Sequence, residues 1–152
     1  MKALVIGATG AVGKDLVDML LKDDSFESVS VFVRRPLGFE NPKLTVHVID
    51  FDHPEQWRPL LRGDVLFSCL GTTIKAAGSQ DAQWKVDYTY QYEAAKAARE
   101  NGVVMLKAFN AIGLMRAWTP MPTEEVAAAM VRLAKSGRRT TETVVAQDIL
   151  KA

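Results

Sequence analysis

Residues 2–13 read KALVIGATGAVG: an aliphatic and β-branched run that stops on a glycine and then sets Gly7, Gly10 and Gly13 three apart. Apolar residues recur downstream at Val12, Leu16, Val17, Met19 and Leu20, the spacing of a helix that buries one face. The stretch therefore predicts a strand over 2–7, a glycine loop, and a helix over 12–22. Glycines let such a loop turn tightly and let its backbone approach a ligand, while the free amides and positive dipole end of the following helix stabilise linked phosphates. Gly7, Ala8, Thr9, Gly10, Ala11 and Val12 are the expected phosphate cradle, with Gly7 and Gly10 serving the turn and the approach and Gly13 the packing of helix on strand. The competing reading is a tight turn with no ligand. Against it stand the strand–loop–helix context and a second strand placed to carry a ribose-reading residue.

That second strand, 28–34 (SVSVFVR), is closed by Arg35-Pro36, where proline's missing amide and fixed φ end regular pairing. NAD-specific domains put a carboxylate there to accept from the ribose 2′-hydroxyl; this sequence has Arg34 and Arg35. Two guanidinium groups would pair with a 2′-phosphate through charge-assisted, bidentate bonds, so NADP(H) is expected over NAD(H). The alternative is a pair of solvated arginines. A third strand, 44–50, leads into Asp50, Phe51 and Asp52 where an adenine would lie; either carboxylate could accept from its amino group, and a surface turn is the competing reading. A short helix over 54–61 contains Trp57. The fourth strand, 64–70, runs into Leu70, Gly71, Thr72 and Thr73, beside the expected nicotinamide ribose, where the threonines either bond the ribose or cap a helix.

A long helix over 80–101 is stopped by Asn101-Gly102, the signature of a left-handed helix end, and a fifth strand follows over 103–109. Beyond it lie a loop over 113–122, a helix over 123–135 with Thr123 as N-cap, and a last stretch, 140–152, read as a short strand (ETVV) and a helix turn. Nearly all-apolar strands alternating with helices signal a parallel sheet covered on both faces. The expectation is α/β: a Rossmann-type, doubly wound sheet in a single three-layer domain over 1–152, with a cofactor-binding core over 1–110 and a shortened part over 111–152.

The 19 Lys+Arg against 18 Asp+Glu leave a formal net charge of +1, so no long-range field draws the chain to nucleic acid or anionic lipid; neither partner is expected. The lone Cys69 cannot form an internal disulfide, and the amino end enters a strand directly, which together place the chain in the cytoplasm. Two histidines and one cysteine lack metal-ligand spacing, so no metal is expected. His47 reads as a strand residue and His53 as a turn residue. Trp84, Tyr88 and Tyr92 could share a helix face used by a homodimer.

With these residues in hand, the chain resembles the atypical short-chain dehydrogenase/reductase superfamily, particularly its NAD(P)H-binding, NmrA-like branch. The likeness rests on KALVIGATGAVG, VFVRRP, DVLFSCLGTT and the helix containing VDYTYQYEAAKAARENGV. It implies NADP binding and, in catalytic members, hydride transfer. Those members carry a serine or threonine at the end of the fifth strand and a Tyr-x-x-x-Lys on the next helix. Here the strand ends Lys107-Ala108-Phe109-Asn110 and no tyrosine follows. Tyr92 and Lys96 have the spacing but precede that strand, on a helix expected to face away from the nicotinamide. Catalytic residues and the small-molecule substrate are therefore unassigned. Three readings stay open: an NADP-dependent oxidoreductase of the atypical type, a non-catalytic NADP(H)-sensing module, and a shortened derivative of a reductase.

Overall fold

Successive residues of the first strand, β1 (Lys2–Ile6), are buried on opposite faces of one sheet, Ala3 and Val5 beneath one helical layer and Leu4 and Ile6 beneath the other. A strand buried on both sides cannot alternate apolar with polar, which is why these segments read as continuous hydrophobic runs. The structure, a computed structural model, describes residues 1–108, 122–137 and 142–144. The other strands are β2 (Ser28–Val33), β3 (Leu44–Val48), β4 (Val65–Ser68), β5 (Val104–Ala108) and β6 (Glu142–Val144). They form one sheet in the order β3-β2-β1-β4-β5-β6, and each neighbouring pair is parallel. Val5 pairs with Val31 on one side and Phe67 on the other, so the strand order reverses between β1 and β4. This is the doubly wound arrangement expected from the strand–helix alternation.

Helix α1 (Ala11–Lys22) buries Val12, Leu16, Val17 and Leu20 against the first face, together with Phe26. Helix α6 (Thr123–Lys135) packs beside it and adds Ala127 and Met130. The second face is covered by α2 (Pro54–Trp57) and α5 (Tyr90–Glu100), which bury Trp57, Ala94, Ala97 and Ala98 over Leu4, Ile6 and Leu66. Two short helices, α3 (Ile74–Ala77) and α4 (Gln80–Trp84), precede α5. Alanine at 94, 97 and 98 lets α5 lie close on the sheet. Gly102, at φ 70°, ends it in the left-handed conformation its sequence called for.

Two expectations need correction. The helix foreseen over 80–101 is not one α-helix: between α4 and α5 the chain makes a wider π turn at Lys85–Thr89. Thr123 does not cap α6; Pro122 holds the N-cap position, and the Thr123 hydroxyl donates to Asp15 Oδ2 at 2.5 Å, tying α6 to α1. A local motif suggested the cap, and a partner 108 residues away in sequence took the hydroxyl instead. The loop foreseen over 113–122, save for Pro122, the helix turn after ETVV and Trp118 lie outside the described residues.

The β1–α1 turn is packed backbone on backbone. Gly7 has φ +78°, and a Cβ there would lie 2.5 Å from the Cys69 carbonyl carbon; a Cβ on Gly13 would lie 2.1 Å from Gly7 O. We expect Gly13→Ala to lower the unfolding free energy by about 1–3 kcal/mol through overpacking, and Gly7→Ala to cost more because strain at positive φ adds to its clash. Gly38, with nothing within 4 Å of its would-be Cβ, should accept alanine with little change. Urea unfolding of the three variants checks the ranking.

Candidate functional site

At the point where the strand order reverses, a cleft of about 420 Å³ opens beyond the carboxyl ends of β1 and β4. The glycine loop (Gly7, Ala8, Thr9, Gly10) forms one wall, and Phe32, Val33 and Arg34 continue it from β2. Cys69, Leu70, Gly71 and Thr72 enter from the end of β4, and Phe51, Lys85, Val86 and Tyr90 complete the lining. The loop folds on itself through Gly10 N–H donating to Gly7 O at 3.1 Å, and the first α-helical bond follows from Lys14 N–H to Gly10 O at 3.0 Å. The amides of Ala11, Val12 and Gly13 therefore precede the helix's own bonding, and its first turn contains no acidic side chain to compete for them. Of the expected cradle, Ala11 and Val12 do not line the cleft, and the Val12 side chain is buried in the core.

Gly10 shows whether this wall suits phosphates. Its φ of −74° and ψ of 172° are open to any residue. A Cβ would meet nothing closer than Gly7 O at 3.4 Å, and one on Gly71, which also lines the cleft, would meet nothing within 4 Å. The chain's own packing thus requires glycine at 7 and 13 but not at 10 and 71, which are exposed and both line the cleft. This refines the roles expected from sequence: Gly7 serves packing against Cys69 as well as the turn.

Arg34 and Arg35 are both exposed and meet Thr9 and Pro36 around a second hollow that adjoins the cleft through Arg34. Neither forms a salt bridge with a described carboxylate. At the end of β3 the three expected residues separate. Phe51 is buried against Trp57 and Tyr90 and lines the cleft. Asp50 does not line it: its Oδ1 accepts from the Asp52 amide at 2.9 Å and the carboxylate sits 3.8 Å from His53, so it shapes a turn.

Asp52 is taken up elsewhere, with Lys85 Nζ reaching both its oxygens at 2.7 and 2.8 Å and the Tyr90 hydroxyl donating to Oδ1 at 2.7 Å. The lysine bond first, and the phenol second, hold the Asp52 carboxyl below its ordinary value. Desolvation, reinforced by Asp52, pushes the Tyr90 phenol up to about 12. Sequence reading passed over Lys85, Val86 and Tyr90, because only the wider turn at Lys85–Thr89 rotates them onto the cleft.

After β4, Thr72 lines the cleft as expected, whereas Thr73 takes the capping alternative: its Oγ1 accepts from Ala76 N–H at 3.2 Å and starts α3. Burial pushes the Cys69 thiol up to about 12, which leaves it an unreactive wall. Tyr92 and Lys96 are exposed on α5 and line no part of the cleft. Tyr92 stacks on Tyr88, and Tyr88 on Trp84, in a ladder along the outer face. His47 stacks on Phe32 with ring centroids 4.8 Å apart, a strand residue as expected. Among the described residues, no group of three or more His, Cys, Asp or Glu is placed to hold a metal ion, and no helix is long and apolar enough to cross a membrane.

The model of the NAD(P)H-binding family matches residues 7–150. Among curated proteins, "Protein fmp52-2, mitochondrial" of Aspergillus terreus is 39% identical over 106 residues, covering 66% of this chain and 45% of the relative. "Protein FMP52, mitochondrial" of Candida albicans is 32% identical over 107 residues, covering 67% and 47%. The chain spans about half the length of the curated relatives it matches. Their mitochondrial names overturn the expectation of a cytoplasmic chain, which rested on a single cysteine and an amino end that enters a strand directly. Among solved structures, a short chain dehydrogenase from Burkholderia cenocepacia J2315 in complex with NADP superposes with a TM-score of 0.61 at 20% identity, covering 94% of this chain and 69% of that one. An ADP-L-glycero-D-manno-heptose-6-epimerase from Helicobacter pylori gives 0.65 at 16% identity, covering 93% and 53%. The structural likenesses bear out the Rossmann fold, and the family model bears out an NAD(P)H-binding chain.

The link between Asp52 and Tyr90 has a measurable signature. The Tyr90 phenol should ionise only near pH 12 in ultraviolet titration, and Asp52→Ala should bring that midpoint down. Because the folded-state value is raised above the unfolded one of about 10, the stability Tyr90 contributes is complete below about pH 10 and is lost as pH rises through 12. The Asp52 value is lowered, so its contribution is complete above about pH 4 and is lost on acidification below that. Melting curves of Asp52→Asn should accordingly show a shallower acid decline.

Proposed function

This chain belongs to the NAD(P)H-binding family, and from that premise we propose that it prefers NADP(H) to NAD(H) and acts as an oxidoreductase of the atypical short-chain dehydrogenase/reductase type. The observation that carries the cofactor's placement is the pair of glycines, Gly10 and Gly71, that the chain's own packing does not need and that both line one cleft. In this reading the amides of Ala11, Val12 and Gly13 receive the pyrophosphate at the mouth of α1. Arg34 and Arg35 take the 2′-phosphate beside Thr9. Phe51, backed by Tyr90, offers an aromatic wall for the adenine. Leu70, Gly71 and Thr72 border the nicotinamide ribose. When bound, the nicotinamide supplies or accepts a hydride; the chain's own residues bind it, orient it and keep water from its buried side.

A second reading, a non-catalytic module that responds to NADP(H) occupancy, is favoured by the proton chemistry of the cleft. General acids work best with values near the operating pH. The described cleft holds a phenol and a thiol that are both pushed up to about 12, and the Tyr92–Lys96 pair faces outward. Tyr92→Phe and Lys96→Ala should therefore leave any NADPH turnover unchanged.

Calorimetric titration with NADPH and NADH separates the possibilities for the cofactor. Arg34→Ala should weaken NADPH about tenfold or more, as expected for a lost charge-assisted bond, and leave NADH within about twofold. Arg35→Ala should act in the same direction. Gly10→Val should abolish binding of both nucleotides while costing only about 1 kcal/mol of stability, since its side chain projects into the cleft and not into the core. Equal affinity of the unaltered chain for NADH and NADPH, with no effect of either arginine change, would overturn the preference.

A further inference from the structure

Three polar side chains, Gln83, Asp87 and Gln91, stand four residues apart along α4, the π turn and α5. In an α-helix a row of every fourth residue drifts by about 40° per step. The wider turn at Lys85–Thr89 rotates in the opposite sense relative to that row, so all three face one target, the chain that leaves β4. Gln91 is 5% exposed and Ser68 is fully buried. The Ser68 hydroxyl donates to Gln91 Oε1 at 2.5 Å, and Gln91 Nε2 donates to Leu70 O at 2.9 Å. Asp87 Oδ1 accepts from the Thr72 amide at 3.0 Å, and Gln83 Nε2 donates to Thr72 O at 3.1 Å. None of the three helix side chains lines the cleft, whereas Leu70, Gly71 and Thr72 all do.

Leu70 C=O and Gly71 N–H belong to one trans peptide and point in opposite directions. A carbonyl drawn back onto Gln91 therefore aims the Gly71 amide away from the helix, on the side where no Cβ shields it. We propose that Gln91, oriented by Ser68, is a positioning residue that sets this peptide so that Gly71 meets the nicotinamide half of the cofactor, with Asp87 holding the Gly71–Thr72 peptide by its N–H and Gln83 the Thr72–Thr73 peptide by its carbonyl. This rests on the cofactor placement above and adds to it a determinant that acts from behind the wall. It touches only one end of the ligand, since the Gln91 bonds go to Ser68 and Leu70, whereas the arginines follow β2 and Phe51 rests on the Trp57 and Tyr90 rings.

The test compares NADPH with 2′,5′-ADP, which has the adenosine half and lacks the nicotinamide, by calorimetry on the 152-residue chain. Gln91→Leu removes both bonds at similar volume and should weaken NADPH about five- to tenfold while leaving 2′,5′-ADP within about twofold. Gln91→Glu keeps an acceptor for Ser68 but sets an oxygen against the Leu70 carbonyl, and should show at least the same split. Gln83→Met, which removes one bond from a less buried position, should give a smaller split and serves if Gln91→Leu fails to fold. Equal weakening of both ligands means a purely structural role and overturns the proposal, as does no change in either when the unaltered chain binds both. An unaltered chain that binds neither ligand overturns the cofactor placement itself.

Discussion

The contact on which the rest of this molecule depends is between main chains: Gly13 lies against the carbonyl of Gly7, and Gly7 lies against that of Cys69. Three elements, β1, α1 and the end of β4, converge there with no side chain between them. The closeness sets how α1 leaves the sheet, and hence where its first free amides point. It also holds the end of β4 against the glycine loop, where both line the cleft. Side chains elsewhere tune what that cleft accepts, but its existence is a property of backbone approach at two glycines.

That origin explains what could be read in advance. A glycine spacing that encodes close backbone contact is visible in sequence, so the β1–loop–α1 unit and the strand order around it followed from KALVIGATGAVG and the apolar runs. Arg34 at the end of β2 was readable for a similar reason: strand ends project to a known edge of a parallel sheet. Lys85 and Tyr90 were not readable, because they reach the cleft only through a five-residue π turn that has no sequence signature of its own. Asp52 drew notice as an adenine acceptor when its oxygens were already committed to those same two residues. Thr123 misled in the simplest way: the capping rule is local, and Asp15, which took its hydroxyl, is distant in sequence.

The cleft joins walls of different rigidity. The glycine loop is held by main-chain bonds, and the β4 end by a row of helix side chains with their polar atoms satisfied in the interior. The side proposed for adenine depends on a solvent-accessible ion pair, Lys85–Asp52, supported by the Tyr90 hydroxyl. Exposed ion pairs contribute little to overall stability, while buried, fully paired amides specify geometry. The walls that would face phosphate and nicotinamide are thus the more firmly determined ones.

A sheet whose strands all run the same way also separates two kinds of change. Its amino edge is knit by bonds that never reach the cleft: the terminal ammonium to Ser25 O at 2.7 Å, the Lys2 amide to Asp64 Oδ2 at 2.7 Å, and the Asp64 amide back to Lys2 O at 2.9 Å. Grafts confined to the opposite rim would therefore retune ligand choice on an unaltered chassis, whereas alterations at the amino rim shift endurance to heat or denaturant and leave recognition alone.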